Sequence, residues 1–348
     1  MGKLILVGSV PLDTTKEVFE KFGQPLAPHL DMLPDGEVGP RRYWVSGVHY
    51  RVFALHPDLD IVRRPRRDNG VERLVPHDQG DTWQFRVRNG VKEIVFGDPG
   101  WRLGFALDAL NSYALLSAMK REGKLPQHLR LQVSLPAVNS VCAPANFPVA
   151  SDLAIVRPGF TAAMKAELAT MTAKIPHRDL AIQFDLARET IEASGGVPGI
   201  TTEASIKAST TQIHALAPSI PEEVQLGYHF CFGTIGGWPR FAPRDLGPTV
   251  ELANAVVGAS KRRVDWIHIP VLPDAQEDFF KPLKDLKAGG ARVYLGMVHS
   301  MQSYAERMRA ARKFLPDFGV GGYCGFGRES PAEMDRVLQE HLQAVVRS

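Results

Sequence analysis

Short apolar runs alternate with longer segments of helical period along almost the whole chain, and this alternation constrains the fold more than any other feature. The runs Leu4–Val7, Leu30–Leu33, Glu93–Phe96, Leu131–Ser134, Leu180–Phe184, Val224–Tyr228, Val264–Ile269, Val293–Met297 and Gly319–Gly322 read as strands. Phe160–Ala173, with Met164, Leu168 and Met171 on one face, reads as an amphipathic helix, as do Val250–Ala259, Met301–Phe314 and Pro331–Val346. Strands separated by helices predict βαβ units and a parallel sheet. The pattern predicts eight or nine strands, with one outside the main sheet. A (β/α)₈ TIM barrel needs roughly 250 residues before insertions, so the 348 residues suit one barrel domain spanning 1–348.

Two stretches break the rhythm. Pro57–Val91 is rich in Arg, Asp, Gly and Pro, and Thr82–Val87 alternates like an exposed hairpin strand, so this region is expected to be an insertion. Ala137–Pro158 is rich in Pro and Ala and follows a strand end, which predicts a long irregular loop.

Composition excludes several classes of protein. The formal charge is +3 and the basic residues are dispersed. The densest run, Arg63-Arg64-Pro65-Arg66-Arg67, reads as a solvated loop, so no nucleic-acid partner is expected. No stretch approaches the eighteen or so apolar residues of a membrane span. The apolar start, Met1–Gly8, is too short for a signal sequence. Three cysteines form no disulfide framework. A soluble, cytoplasmic protein is expected.

The chemistry sits at the strand ends. Ser9 follows the first strand and Glu37 lies in a Gly-rich turn after the second. Later strands end at Ser134, at Gln183 and Asp185, at His229 and Cys231, at His268, at His299 and at Cys324. In a parallel barrel the C-terminal strand ends share one mouth, where polar residues read as functional. Any one of them alone is equally well a turn or cap residue.

His229 and Cys231 are two residues apart, so in an extended strand end their side chains point the same way. With Cys324 they can form a three-ligand zinc site that keeps a fourth position open. Buried cysteines are also ordinary packing groups, and spacing alone leaves both readings open. Asp185 and Glu37 can hold a substrate ammonium or move a proton; Asp185 can equally cap the following helix. Arg41 and Arg42 can bind a substrate carboxylate or be a solvated pair. Trp238, Trp44, Trp101, Tyr43 and Phe326 can line an aromatic pocket or simply pack.

Several ordered segments make the chain recognisable. They are Gly8-Ser9-Val10-Pro11, Ile182-Gln183-Phe184-Asp185, Tyr228-His229-Phe230-Cys231, Leu295-Gly296-Met297-Val298 before a Met/Arg-bearing helix, and Tyr323-Cys324-Gly325-Phe326-Gly327-Arg328. Together they resemble the C-terminal catalytic barrel of cobalamin-independent methionine synthase, in its short, single-barrel form. That superfamily also holds epoxyalkane:coenzyme M transferases and uroporphyrinogen decarboxylase. The resemblance implies that His229, Cys231 and Cys324 bind zinc and that Asp185 holds an amino group of the thiol substrate. It implies further that Ser9 and Glu37 contact that substrate; from their places at the strand ends, Gln183 and Arg41 are also expected to bind substrate.

This sequence departs from that pattern in three ways. The family's further zinc ligand, a glutamate at the next strand end, is absent; Ile267-His268-Ile269-Pro270 stands there. Leu186-Ala187-Arg188-Glu189 replaces an Asp-Glu-Pro-Ala segment. The match covers only the catalytic half of the synthase, so the N-terminal half that helps bind folate there is not expected to contribute. The resemblance therefore implies a zinc-dependent transferase or lyase. A small thiol attacks a methyl, alkyl or epoxide carbon, with methylcobalamin or a folate among the candidate donors. His268 and His299 are the expected fourth ligand or acid. The alternatives are a metal-independent decarboxylase of the uroporphyrinogen type, and a zinc-clipped binding protein for a small thiol or a corrinoid-linked partner.

Overall fold

Among the described residues, eight of ten strands form one parallel sheet that curls into a nearly closed barrel. The computed structural model describes residues 3–43, 45–97 and 102–348; Trp44 and Trp101 lie outside the described residues. The strands are β1 (Leu4–Ile5), β2 (Met32–Pro34), β3 (Leu59–Arg63), β4 (Gln84–Val87), β5 (Arg130–Pro136), β6 (Leu180–Leu186), β7 (Gln225–Phe230), β8 (Trp266–Pro270), β9 (Arg292–Val298) and β10 (Gly319–Gly322). The sheet order is β1-β10-β9-β8-β7-β6-β5-β2. At the seam between β1 and β2 the Val10 N–H donates to the Gly36 carbonyl at 2.8 Å. This is the (β/α)₈ TIM barrel expected from the alternation.

Burial explains why the barrel strands read as continuous apolar runs. Every residue of β6 and β8 is buried, as both faces of a parallel barrel sheet are covered. The inside is plugged by Ile5, Met32, Ala181, Trp266 and Tyr294. Gly227 makes room for that plug: a Cβ there would meet the Trp266 ring at 2.0 Å. Above it, the Gln132 amide donates to the carbonyls of Leu6 and Val7 at 2.9 and 3.0 Å. The registers Asp185↔His229 and His229↔His268 put these three side chains at one level on adjacent strands. Among the described residues, no helix is long and apolar enough to cross a membrane.

The insertion is an antiparallel hairpin of β3 and β4, pairing Leu59 with Val87 and Ile61 with Phe85. Its first strand carries no clear alternation, because most of β3 is solvent-facing, and the sequence reading passes over it. Glu93–Phe96 is not a strand. Ile94 and Phe96 are buried while Glu93 and Val95 are exposed, so the alternation is real. Phe96 packs on Phe53 with ring centroids 5.5 Å apart, and no ladder forms.

The stretch Ala137–Pro158 is also more ordered than expected. Val138–Val141 is a short helix, and a long helix spans Ala150–Lys174 with Pro158 inside it. The buried stripe Leu153, Val156, Phe160, Met164 runs straight through the proline. Burying Leu153 and Val156 contributes about 1.5–3 kcal/mol each, which offsets the roughly 3 kcal/mol cost of an interior proline.

Candidate metal centre and substrate cavity

His229 lies in β7, Cys231 just beyond its end, and Cys324 two residues past β10. One ligand atom from each, and all three within 4.8 Å of one another, make a possible metal site. The two Sγ atoms are 3.2 Å apart, and Cys324 Sγ is 3.5 Å from His229 Nε2. The Gly233 N–H points at Cys231 Sγ from 3.3 Å.

The electrostatics of this group suit a divalent cation. Cys231 is held below the usual thiol range because Cys324 S–H donates to it. Cys324 is pushed well up by that same bond and by burial. The second proton therefore leaves readily only when a cation takes its place. Burial pulls His229 down to about 3, so its imidazole is neutral and able to ligate. Two sulfurs and one imidazole are a donor set that zinc takes in sites with an open fourth position. Tetrahedral zinc, with bonds to sulfur of about 2.3 Å, separates its sulfurs by about 3.8 Å. The pair, 3.2 Å apart, would have to open by about 0.6 Å to hold such an ion.

The group opens on a cavity of about 140 Å³ that is also lined by Ser9, Glu37 and Asp185. Asp185 is buried at the end of β6 and accepts from the Gln183 amide at 2.8 Å. Gln183 also donates to the Val7 carbonyl at 2.8 Å, which fixes the carboxylate to the barrel wall. Burial, and then the Cys231 charge, push Asp185 well above the usual carboxylate range. Glu37 adopts a left-handed backbone, φ 46°, with its N–H bonded to Asp35 Oδ1 at 2.8 Å. Burial raises Glu37 as well, followed by its proximity to Asp185 and Asp35. Gly8 leaves the space for its carboxyl: a Cβ there would lie 2.5 Å from Glu37 Oε1. The Cys324 segment is docked on the first strand end, where the Phe326 N–H donates to the Ser9 carbonyl at 2.6 Å.

No family model matches the chain, and no curated protein matches its sequence. Solved structures do match. A B12-independent methionine synthase from Shewanella sp. W3-18-1, in complex with selenomethionine, aligns over 98% of this chain and 95% of its own. That pair has a TM-score of 0.56 at 14% identity. A methyltransferase from Methanosarcina mazei aligns over 98% of this chain and 93% of its own, with a TM-score of 0.51 at 10% identity. The fold is that of the B12-independent methionine synthases.

On this methionine synthase fold the expected site residues divide into two groups. Ser9, Glu37, Asp185, His229, Cys231 and Cys324 meet around the cavity, with Gln183 beneath Asp185. Arg41, His268 and His299 do not. Arg41 is held by Asp35 at 2.9 Å and by Asp108 at 3.4 Å, away from this cavity. His268 is fully buried, and its Nδ1 lies 2.8 Å from Nδ1 of His229. It therefore stands behind the imidazole, neither beside the thiols nor facing the cavity. His299 packs with Trp238 and Tyr323, ring centroids 5.8 and 6.1 Å away. Of the aromatic candidates Tyr43 lines the cavity, while Trp238 and Phe326 pack against Tyr323.

The arginines Arg188, Arg240 and Arg328, together with Arg42, also line the cavity. Sequence reasoning noted Arg188 only as a departure from the family segment and did not single out Arg240. The available signal was position, since both follow strand ends within ten residues of an expected site residue, Asp185 or Cys231. Gln79 and Thr82 of the hairpin insertion reach the cavity wall too.

Proposed function

We propose that this protein is a zinc-dependent transferase that joins a methyl or other alkyl carbon to the sulfur of a small thiol. His229, Cys231 and Cys324 hold the ion. When bound, zinc lowers the pKa of a coordinated thiol, so that the sulfur is a thiolate near neutral pH. In the reaction a carbon–sulfur bond forms, the carbon's bond to its leaving group breaks, and the leaving group takes up a proton. Asp185 and Glu37 are suited to that last role, because both are held toward the protonated form beside the thiols. The same carboxyls can instead receive a substrate ammonium. His268 orients His229 from behind, and the walls of the small cavity exclude water from the reacting sulfur.

The observation that carries this reading is the convergence of three ligand atoms within 4.8 Å on a cavity that holds two buried carboxyls. The names of the fold neighbours, a methionine synthase and a methyltransferase, agree with methyl transfer. A decarboxylase of the uroporphyrinogen type has no use for a buried thiol pair. A structural zinc clip calls for a fourth protein ligand, and His268, the one expected from the sequence, faces the far side of His229. A screen of small thiols against methyl and epoxide donors tests the proposal. Zinc-loaded protein should give thioether product, and chelated protein none; product formation that survives chelation would contradict it.

A further inference from the structure

The wall of the cavity is cationic. Arg42, Arg188, Arg240 and Arg328 line it, against the two carboxyls Glu37 and Asp185, which burial holds toward their neutral forms. Arg188 alone has an acidic partner, Glu192 at 2.6 Å. Arg42 reaches the Tyr43 hydroxyl at 2.7 Å and Arg328 reaches Thr234 Oγ1 at 3.3 Å, both neutral oxygens. Among the described residues, the Arg240 guanidinium makes no hydrogen bond or ion pair; Glu192, whose charge acts on it, is already paired with Arg188.

Arg240 is also tied to the reacting end through its backbone. Its N–H donates to the Gly233 carbonyl at 3.0 Å, and the next residue, Phe241, donates to Phe232 at 3.1 Å. Gly233 in turn is bonded to Cys231 Sγ at 3.3 Å. Burial, and then the neighbouring Arg188, pull Arg240 below its ordinary value. An unpaired cation in that position is relieved by an anion, and a planar guanidinium meets a carboxylate, sulfonate or phosphate with two parallel hydrogen bonds.

We propose that the substrate filling this cavity carries an anionic group, seated by Arg240 and Arg188 while its reacting end meets Cys231 and Cys324. The placing of the reacting end rests on the thiol-transfer reading; the anion site does not.

The test is calorimetric titration of zinc-loaded protein with three thiols of similar size: 3-mercaptopropionate, 3-mercaptopropanesulfonate and neutral 3-mercapto-1-propanol. Propionate and inorganic phosphate, which lack sulfur, are titrated alongside. At least one anionic thiol should bind tenfold or more tightly than the neutral one, and added salt should narrow the gap. Comparison of the carboxylate, the sulfonate and phosphate identifies the anion. Arg240→Gln should abolish the preference with zinc content unchanged, and Arg240→Lys should retain part of it. Equal affinities for charged and neutral thiols, or a preference untouched in Arg240→Gln, would overturn the proposal. If the sulfur-free anions bind through Arg240 but no thiol engages zinc, the anion site stands and the thiol reading falls.

Discussion

Nδ1 of His229 and Nδ1 of His268 lie 2.8 Å apart, on the side of the His229 ring turned away from the thiols. Two ring nitrogens at that distance share one proton. If Nε2 of His229 is the ligand, its Nδ1 carries the proton and His268 accepts it, which fixes the tautomer and ring orientation of the ligand. Partners of this kind typically account for 10–100-fold in metal affinity. His268→Ala should therefore weaken zinc binding by about that factor in competition with a chromophoric chelator. His268→Gln, which keeps an acceptor, should lose less. Equal zinc affinity in wild type and His268→Ala would remove His268 from the account.

The cysteines differ sharply in environment, and metal removal should reveal it. Cys324 is half-buried beside the cavity and Cys231 shares its proton, whereas Cys142 is fully buried and burial drives its thiol far up. Iodoacetamide should alkylate Cys231 or Cys324 in metal-free protein, and zinc should protect both. Cys142 should react only on unfolding. Mass spectrometry of the digested protein reads the outcome directly.

Asp185 is held in place by Gln183 at 2.8 Å and does not belong to the ligand group. Asp185→Asn should keep zinc while slowing turnover by about 10²-fold or more, the range for loss of a positioned acid. Loss of zinc in this variant would assign Asp185 to the metal instead.

Acid should destabilise the fold through buried neutral histidines. Burial depresses His49 and His341 to about 4, far below the unfolded value of about 6.5. The unfolded chain therefore binds protons that the folded chain does not. Stability is fully present above about pH 6.5 and is lost as the pH falls toward 4, by on the order of 2 kcal/mol per histidine at pH 5. Urea unfolding of wild type and His341→Gln at pH 7.5 and pH 5 tests this, and the variant should show the smaller drop.

Residues differ in how far the sequence reveals their place. His229 and Cys231 are legible because strand geometry points residues i and i+2 the same way, and Cys324 because it closely follows a short Gly-rich strand. The barrel is legible because strands buried on both faces read as continuous apolar runs. Arg240 is not, since its place depends on residues 240–241 folding back on 232–233. His268 reads as a ligand in sequence, and only the register His229↔His268 shows that it faces the other ring nitrogen. The helix Ala150–Lys174 hides behind Pro158, because a local rule yields there to a buried stripe.

The central claim is that His229, Cys231 and Cys324 hold one zinc ion with a position open to a thiol. X-ray absorption at the zinc edge of the purified, zinc-loaded protein tests it most directly. The account predicts one zinc per chain, bound by two sulfurs and one imidazole, with a third sulfur entering the shell when a substrate thiol is added. A shell with no sulfur, or one that stays unchanged across every thiol found to bind, would contradict it.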